Sequence, residues 1–180
     1  MAQGRVFVIA DTHFGDEAIF LYEDRPFRSV ADADEEMVAR WNETVSEEDT
    51  VFHLGDFASL SEERCRELLR ILHGHKRLVM GNHDRHLTPD EWRRLGFEEC
   101  YDMPVIYQNW FILSHEPLYI SRRMPYANIF GHIHGMPLYR TTGPQSACVS
   151  VERTDYRPVL FEDLKRKIKQ EAEQAAGQAQ

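Results

Sequence analysis

The chain has 180 residues, 42% hydrophobic and 28% charged, which suits one soluble globular domain with enough chain to bury a sizeable core. Its formal net charge of -9 argues against a broad basic face for long nucleic acid, because neutralising many phosphates takes clustered Lys and Arg. No stretch approaches the roughly 20 apolar residues of a membrane span, and the apolar run 6–10 is too short for a signal-peptide core.

Residues 6–10, rich in β-branched side chains, are predicted to form a buried first strand. Residues 14–29 read as a loop, and a loop of that length in a compact domain is more often functional than idle. A helix is predicted over 32–45, with Met37, Val38, Trp41 and Val45 at helical spacing. A second strand, 50–54, stops at Gly55-Asp56. The next helix covers 61–73, with Ser59 and Glu62 at capping-box spacing and Cys65, Leu68, Leu69 and Leu72 as its buried stripe. A third strand, 76–80, ends at Gly81. Thr88, Pro89 and Glu91 supply the N-cap, the N1 proline and the N3 acid of a short helix. Strands are predicted at 110–113 and 127–130, each running into a histidine-bearing turn, and again at 148–151 and 158–161. Residues 162–180 look polar on all sides and are expected to form a helix that frays. Within them the run Lys165-Arg166-Lys167 reads as a solvated helix face. Cys65, Cys100 and Cys148 are widely spread with no CxxC pair, which suggests reduced thiols and a cytoplasmic location.

Five apolar segments end in potential metal ligands. They lead to Asp11-Thr12-His13, to Gly55-Asp56, to Gly81-Asn82-His83-Asp84, to Ser114-His115 and to Gly131-His132-Ile133-His134-Gly135. In open α/β sheets the strand ends are where loops converge on a ligand, so five polar termini far apart in sequence can share one site. Imidazole with carboxylate, and no cysteine, suits zinc, iron, manganese or nickel. In the Asp11/His13 and His132/His134 pairs one residue separates the two ligands, which in extended chain puts both side chains on one face. Glycines at 55, 81, 131 and 135 let the backbone turn sharply. Asp56 is the lone carboxylate of its segment and the natural bridge between two ions. A single Asp-x-His is usually structural, but five of the nine histidines fall in these five turns, each behind a strand. His53, His73 and His75 are expected to pack or to lie on the surface. His86, close behind the third turn, is open to either role.

In this order the motifs resemble the calcineurin-like metallophosphoesterase superfamily, whose pattern is DxH, GD, GNH[D/E], H and GHxH. They span residues 11–134, and no ligand position departs from the pattern. The resemblance implies an α/β fold, a four-layer αββα sandwich of two mixed sheets flanked by helices. The domain would cover 1–164, with a polar C-terminal helix or disordered tail at 165–180. One metal would be held by Asp11, His13, Asp56 and His134, and the other by Asp56, Asn82, His115 and His132. His83 would stand beside the metals as general acid or transition-state stabiliser, and Asp84 would orient its imidazole. The cofactors implied are two divalent transition-metal ions, manganese first, with iron, zinc or nickel as alternatives.

Residue chemistry agrees with those roles. Two ions sharing Asp56 would lie about 3.5–4 Å apart, and a bridging water would lose a proton near neutral pH to give a hydroxide nucleophile. The positive charge left over would attract a phosphate despite the acidic surface. His83 could protonate the leaving oxygen, and a carboxylate beside it would fix the ring and raise its pKa. The expected reaction is hydrolysis of a phosphate mono- or diester. Substrate contacts are expected from loops 14–29, with Arg25 and Arg28, and 119–126, with Arg122 and Arg123, although each arginine could equally be a salt-bridge partner. The short segment between His115 and Gly131 leaves no room for a cap domain. A small phosphorylated substrate is therefore expected, with no membrane and no extended nucleic acid as partner. A nuclease or protein phosphatase of the same superfamily is one alternative, and a metal-binding scaffold without turnover is another. A scaffold would be free to lose His83 or a bridging ligand, and all are present. Nothing in the sequence bears on oligomeric state.

Overall fold

Alternation along the strands explains why the chain builds two cores rather than one. In the computed structural model, which describes residues 4–121, 124–137 and 143–177, β1 (Val6–Ile9) turns Phe7 and Ile9 to one core and Val8 to the other. After α1 (Glu17–Tyr22) and α2 (Val30–Thr44), β2 (Thr50–His53) repeats the pattern, with Val51 on the first side and Phe52 on the second. Then α3 (Glu62–Ile71) leads to β3 (His75–Val79), which divides Leu78 from Val79 in the same way. A strand places successive side chains on opposite faces, so a sheet with helices on one side and a second sheet on the other needs apolar residues at every position.

The chain continues through α4 (Pro89–Leu95), β4 (Glu99–Tyr101), β5 (Val105–Tyr107), β6 (Phe111–Leu113), β7 (Ala127–Phe130), β8 (Ser146–Cys148), β9 (Val159–Leu160) and α5 (Phe161–Gly177). The first sheet runs β4-β3-β2-β1-β9, with β9 antiparallel to β1 and the other pairs parallel. The second runs β5-β6-β7-β8, with β5 antiparallel to β6 and the rest parallel. The expected architecture, two mixed sheets flanked by helices, is the one observed.

The first core lies between the first sheet and α2, α3 and α4, which contribute Met37 and Trp41, Cys65, Leu68 and Leu69, and Trp92 and Leu95. Trp41 is 1% exposed and its Nε1–H donates to the His73 carbonyl at 3.1 Å, so Trp41→Ala should cost about 3–5 kcal/mol. The second core lies between the sheets, where Val8, Phe52 and Val79 meet Phe111, Leu113, Ala127 and Ile129.

Some local expectations are corrected. Residues 14–29 contain α1, whose start is capped by the Asp16 carboxylate accepting from the Ala18 and Ile19 N–H groups. None of its six residues is buried, so it carries no apolar stripe to read. The cap of α3 is Ser61, which accepts from the Arg64 N–H, rather than Ser59. The box at Thr88, Pro89 and Glu91 is as predicted. Residues 162–180 are not polar on all sides. Phe161, Leu164 and Ile168 of α5 are buried in the second core, and the helix runs unbroken through the expected boundary at 164/165. The predicted strand 148–151 ends early, because Val149 to Val151 cross to the first sheet. The Ala10 N–H donates to the Val149 carbonyl and the Val151 N–H to the Ala10 carbonyl, both at 3.1 Å. That bridge joins the two sheets directly behind Asp11.

Candidate metal centre

The parallel strands β1, β2 and β3 of one sheet and β6 and β7 of the other end on the same side, and the turns leaving them hold all seven metal-ligand candidates. The backbone there is unusual. Asp11, His13, Asp56, His132 and His134 all have positive φ, between 44° and 69°. That region costs a non-glycine residue about 1–2 kcal/mol, and such residues gather where function holds the backbone in place.

Two groups form. Ligand atoms of Asp11, His13 and His134 lie within 4.8 Å of one another, and so do those of Asp56, His115 and His132. Asp56 stands between them, its Oδ2 3.4 Å from His13 Nε2 and 3.3 Å from His115 Nε2. Asn82 Oδ1 is 3.0 Å from His115 Nε2 and 3.1 Å from His132 Nδ1, and those two nitrogens are 3.1 Å apart. His13 Nε2 is buried with no hydrogen-bond partner. Converging imidazole nitrogens and carbonyl or carboxylate oxygens, with one buried nitrogen orphaned, are a donor set that fits divalent transition metals.

His83 is exposed at the edge of this cluster. Its N–H donates to Asp56 Oδ1 at 2.9 Å, and its ring stands edge-on to His13 with centroids 5.0 Å apart. Asp84 does not orient that ring. It is fully buried and accepts the N–H groups of Asp56, Phe57 and Gly81 at 2.7, 2.9 and 2.8 Å. Its carboxylate ties the second turn to the third from below.

Two of the arginines expected at the substrate, Arg25 and Arg28, are engaged in other contacts. Arg25 is 5% exposed and donates to the carbonyls of Thr12 and Asp11, while Arg28 is exposed and paired with Asp32. Arg122 and Arg123 lie outside the described residues. Of the other histidines, His73 and His75 are surface residues contacting Glu47 and Glu98. His53 is buried beneath the site. The Thr12 hydroxyl donates to the Phe57 carbonyl at 2.7 Å, so it accepts from His53 Nε2–H at 2.9 Å, and burial pushes the His53 pKa down to about 3. His86 sits beside the centre, its Nδ1 2.8 Å from the His83 carbonyl.

Three supporting carboxylates escaped sequence reasoning. Asp16 Oδ2 is 3.2 Å from His13 Nδ1, Glu152 Oε2 is 3.2 Å from His134 Nδ1, and Glu23 accepts the Gly135 N–H at 3.2 Å. Only Asp16, three residues after His13, could have been suspected from spacing. Gly131 is explained by room rather than by turning. A Cβ there would lie 2.7 Å from Asp11 Oδ2, where the His132 N–H now reaches that carboxylate at 2.9 Å. Gly55, at φ 89°, does need its conformational freedom.

The electrostatics are those of a cation site. Burial alone would raise the Asp56 pKa, but His115 and His13 hold it well below the usual carboxylate range. Burial would lower that of His115, yet hydrogen bonding and attraction from Asp56, and attraction from Asp11, lift it to about 9. Burial raises that of Asp11. A divalent cation entering here would displace imidazole protons, so uptake should release protons and weaken as pH falls.

The chain belongs to the calcineurin-like phosphoesterase family, whose model matches residues 4–167. That family and the ligand clusters make it a metal-dependent phosphoesterase. It is 31% identical over 171 residues to an uncharacterized protein of Methanocaldococcus jannaschii, with 90% of each chain covered. The crystal structure of a protein of unknown function from Aquifex aeolicus superposes with a TM-score of 0.66 at 27% identity, covering 91% of this chain and 98% of that one. Among the described residues, no helix is long and apolar enough to cross a membrane.

Proposed function

We propose that this protein hydrolyses a small phosphate mono- or diester at a centre of two divalent transition-metal ions, with manganese ahead of iron, zinc or nickel. The observation that carries the reading is the pair of donor groups on either side of Asp56, with His83 at their edge. Asp11, His13 and His134 would hold one ion, Asn82, His115 and His132 the other, and Asp56 would be shared. Bound there, the ions supply positive charge for the phosphate and an activated nucleophilic water.

His83 acts on the leaving group. Its ring is exposed while its own N–H anchors it to Asp56, so it can hand a proton to a departing oxygen without being a ligand. A pocket of about 340 Å³ opens beside it, lined by His13, Asp16, Ala58, Ser59, Leu60, His83 and His86. That volume suits a small leaving group, and the net charge of -9 disfavours a long nucleic acid. The free thiols of Cys65, Cys100 and Cys148 support a cytoplasmic setting.

The test is a screen of manganese-loaded protein against p-nitrophenyl phosphate, bis-p-nitrophenyl phosphate and a nucleotide panel. Turnover that needs the metal supports hydrolysis. Two bound ions with no turnover of any ester would favour the scaffold reading instead.

A further inference from the structure

Arg25 and Glu152 form a buried ion pair that the proposed reaction does not use. Both Nε and Nη2 of Arg25 donate to Glu152 Oε1, at 3.1 and 2.8 Å. The same guanidinium donates from Nη1 to the Thr12 carbonyl at 2.7 Å and from Nη2 to the Asp11 carbonyl at 2.8 Å. The side chains of Arg25 and Glu152 are 2% and 8% exposed. An ion pair taken out of water at this depth gives little stability of its own against well-packed apolar residues, so its presence asks for another reason.

The reason lies on the other side of the carboxylate. Glu152 Oε2 is 3.2 Å from His134 Nδ1 in an ion-pair contact, and both atoms are buried with no hydrogen bond to any other group. With Nδ1 turned to Glu152, Nε2 is the nitrogen left for Asp11 and His13, the group to which His134 contributes. The pair also spans a seam. Asp11 and Thr12 follow β1 of the first sheet, while Glu152 follows β8 and His134 follows β7 of the second. One guanidinium therefore grips the carbonyls of the Asp11 turn and the carboxylate facing His134, across 127 residues of sequence.

We propose that Glu152, held by Arg25, is a positioning residue for His134, fixing its Nδ1–H tautomer and its place against Asp11 and His13 across the two sheets. The proposal rests on the metal-centre reading above. A carboxylate behind a ligating imidazole sets which nitrogen carries the proton and how the ring is aimed, and losing it typically weakens metal binding 10–100-fold. The effect should fall on the ion held with His134 and spare the one held by Asn82, His115 and His132.

The experiment is a titration of the chelator-stripped full chain with Mn²⁺ alone, counting free ion by electron paramagnetic resonance, for the parent, Glu152→Gln and Glu152→Leu. The unfolding temperature of each metal-free protein is measured alongside. The parent should take up two ions. Glu152→Leu should weaken one of them about 10- to 100-fold and leave the other within about twofold. Glu152→Gln, which can still accept from Nδ1–H, should recover part of the loss. Parental affinity for both ions in both variants overturns the proposal, and so does equal weakening of both. Should Glu152→Leu fail to fold, the near-isosteric Glu152→Gln alone decides, by whether its loss is confined to one ion. A parent that takes up fewer than two ions overturns the metal-centre reading, and the proposal with it.

Discussion

The carboxylate of Asp84 lies under the turn that carries Asp56 and accepts the Asp56 N–H at 2.7 Å. It holds Phe57 and Gly81 in the same way, so one buried side chain sets the backbone from which Asp56 projects. Asp84→Ala would leave three buried N–H groups unmatched, at about 1–3 kcal/mol each. We expect a loss of several kcal/mol in urea unfolding together with reduced manganese content. A smaller loss is expected for Asp84→Asn, which keeps one oxygen. If Asp84→Ala folded and bound metal normally but lost turnover, Asp84 would be acting through His83 instead.

His83 is predicted to be separable from the metal ligands. His83→Ala should retain both ions, while turnover falls by roughly 10²–10⁴. The loss should be largest for alkyl esters and smallest for p-nitrophenyl esters, whose leaving group scarcely needs a proton. Rates across a series of aryl and alkyl esters, with metal content measured in parallel, test this. A loss independent of leaving-group pKa would contradict the general-acid role.

Asp56, 3.4 and 3.3 Å from imidazole nitrogens of the two donor groups, is expected to couple metal to folding. At manganese concentrations about 100 times the dissociation constant, binding should add about 2.7 kcal/mol per site and raise the unfolding temperature of the parent. Asp56→Asn should abolish most of that rise and all turnover. A variant that kept the full metal-dependent rise would show that Asp56 is not shared between the ions.

A pH effect is predicted far from the centre. Asp49 accepts from the Arg5 N–H and guanidinium and from the Ser46 N–H and hydroxyl. Burial alone would raise its pKa, but these donors hold it well below the ordinary 3.8. A carboxyl depressed in the fold stabilises the protein above its unfolded pKa, and that contribution is lost as pH falls through the folded value. Asp49→Asn should therefore destabilise the protein at pH 7, and the difference from the parent should shrink steadily as pH drops below about 4. Thermal unfolding of both proteins between pH 7 and pH 2 measures it. A constant difference across that range would mean the ionised carboxylate contributes nothing particular.

The sequence by itself determined the strands that end in polar turns and the candidate ligands those turns carry. Each is a local signal: an apolar run such as 6–10, then a short polar motif such as Asp11-Thr12-His13, within a handful of residues. The Thr88 capping box was legible for the same reason, since three neighbouring positions specify it. Only the tertiary structure decided what stands behind the ligands. Arg25 read as a phosphate contact because a guanidinium in a loop suits one. Its four donated bonds go instead to Thr12, Asp11 and Glu152, and the last is 127 residues away. Asp84 read as a partner for the neighbouring ring, yet its oxygens turn to the backbone of Asp56 and Phe57, brought beneath it by the parallel pairing of β2 and β3. Charged neighbours hid the apolar stripe of Phe161, Leu164 and Ile168, and the second core completed it. Local pattern names the groups that a turn can present, whereas the partner of a buried charge depends on which distant segment the sheets bring against it, and no local spacing encodes that.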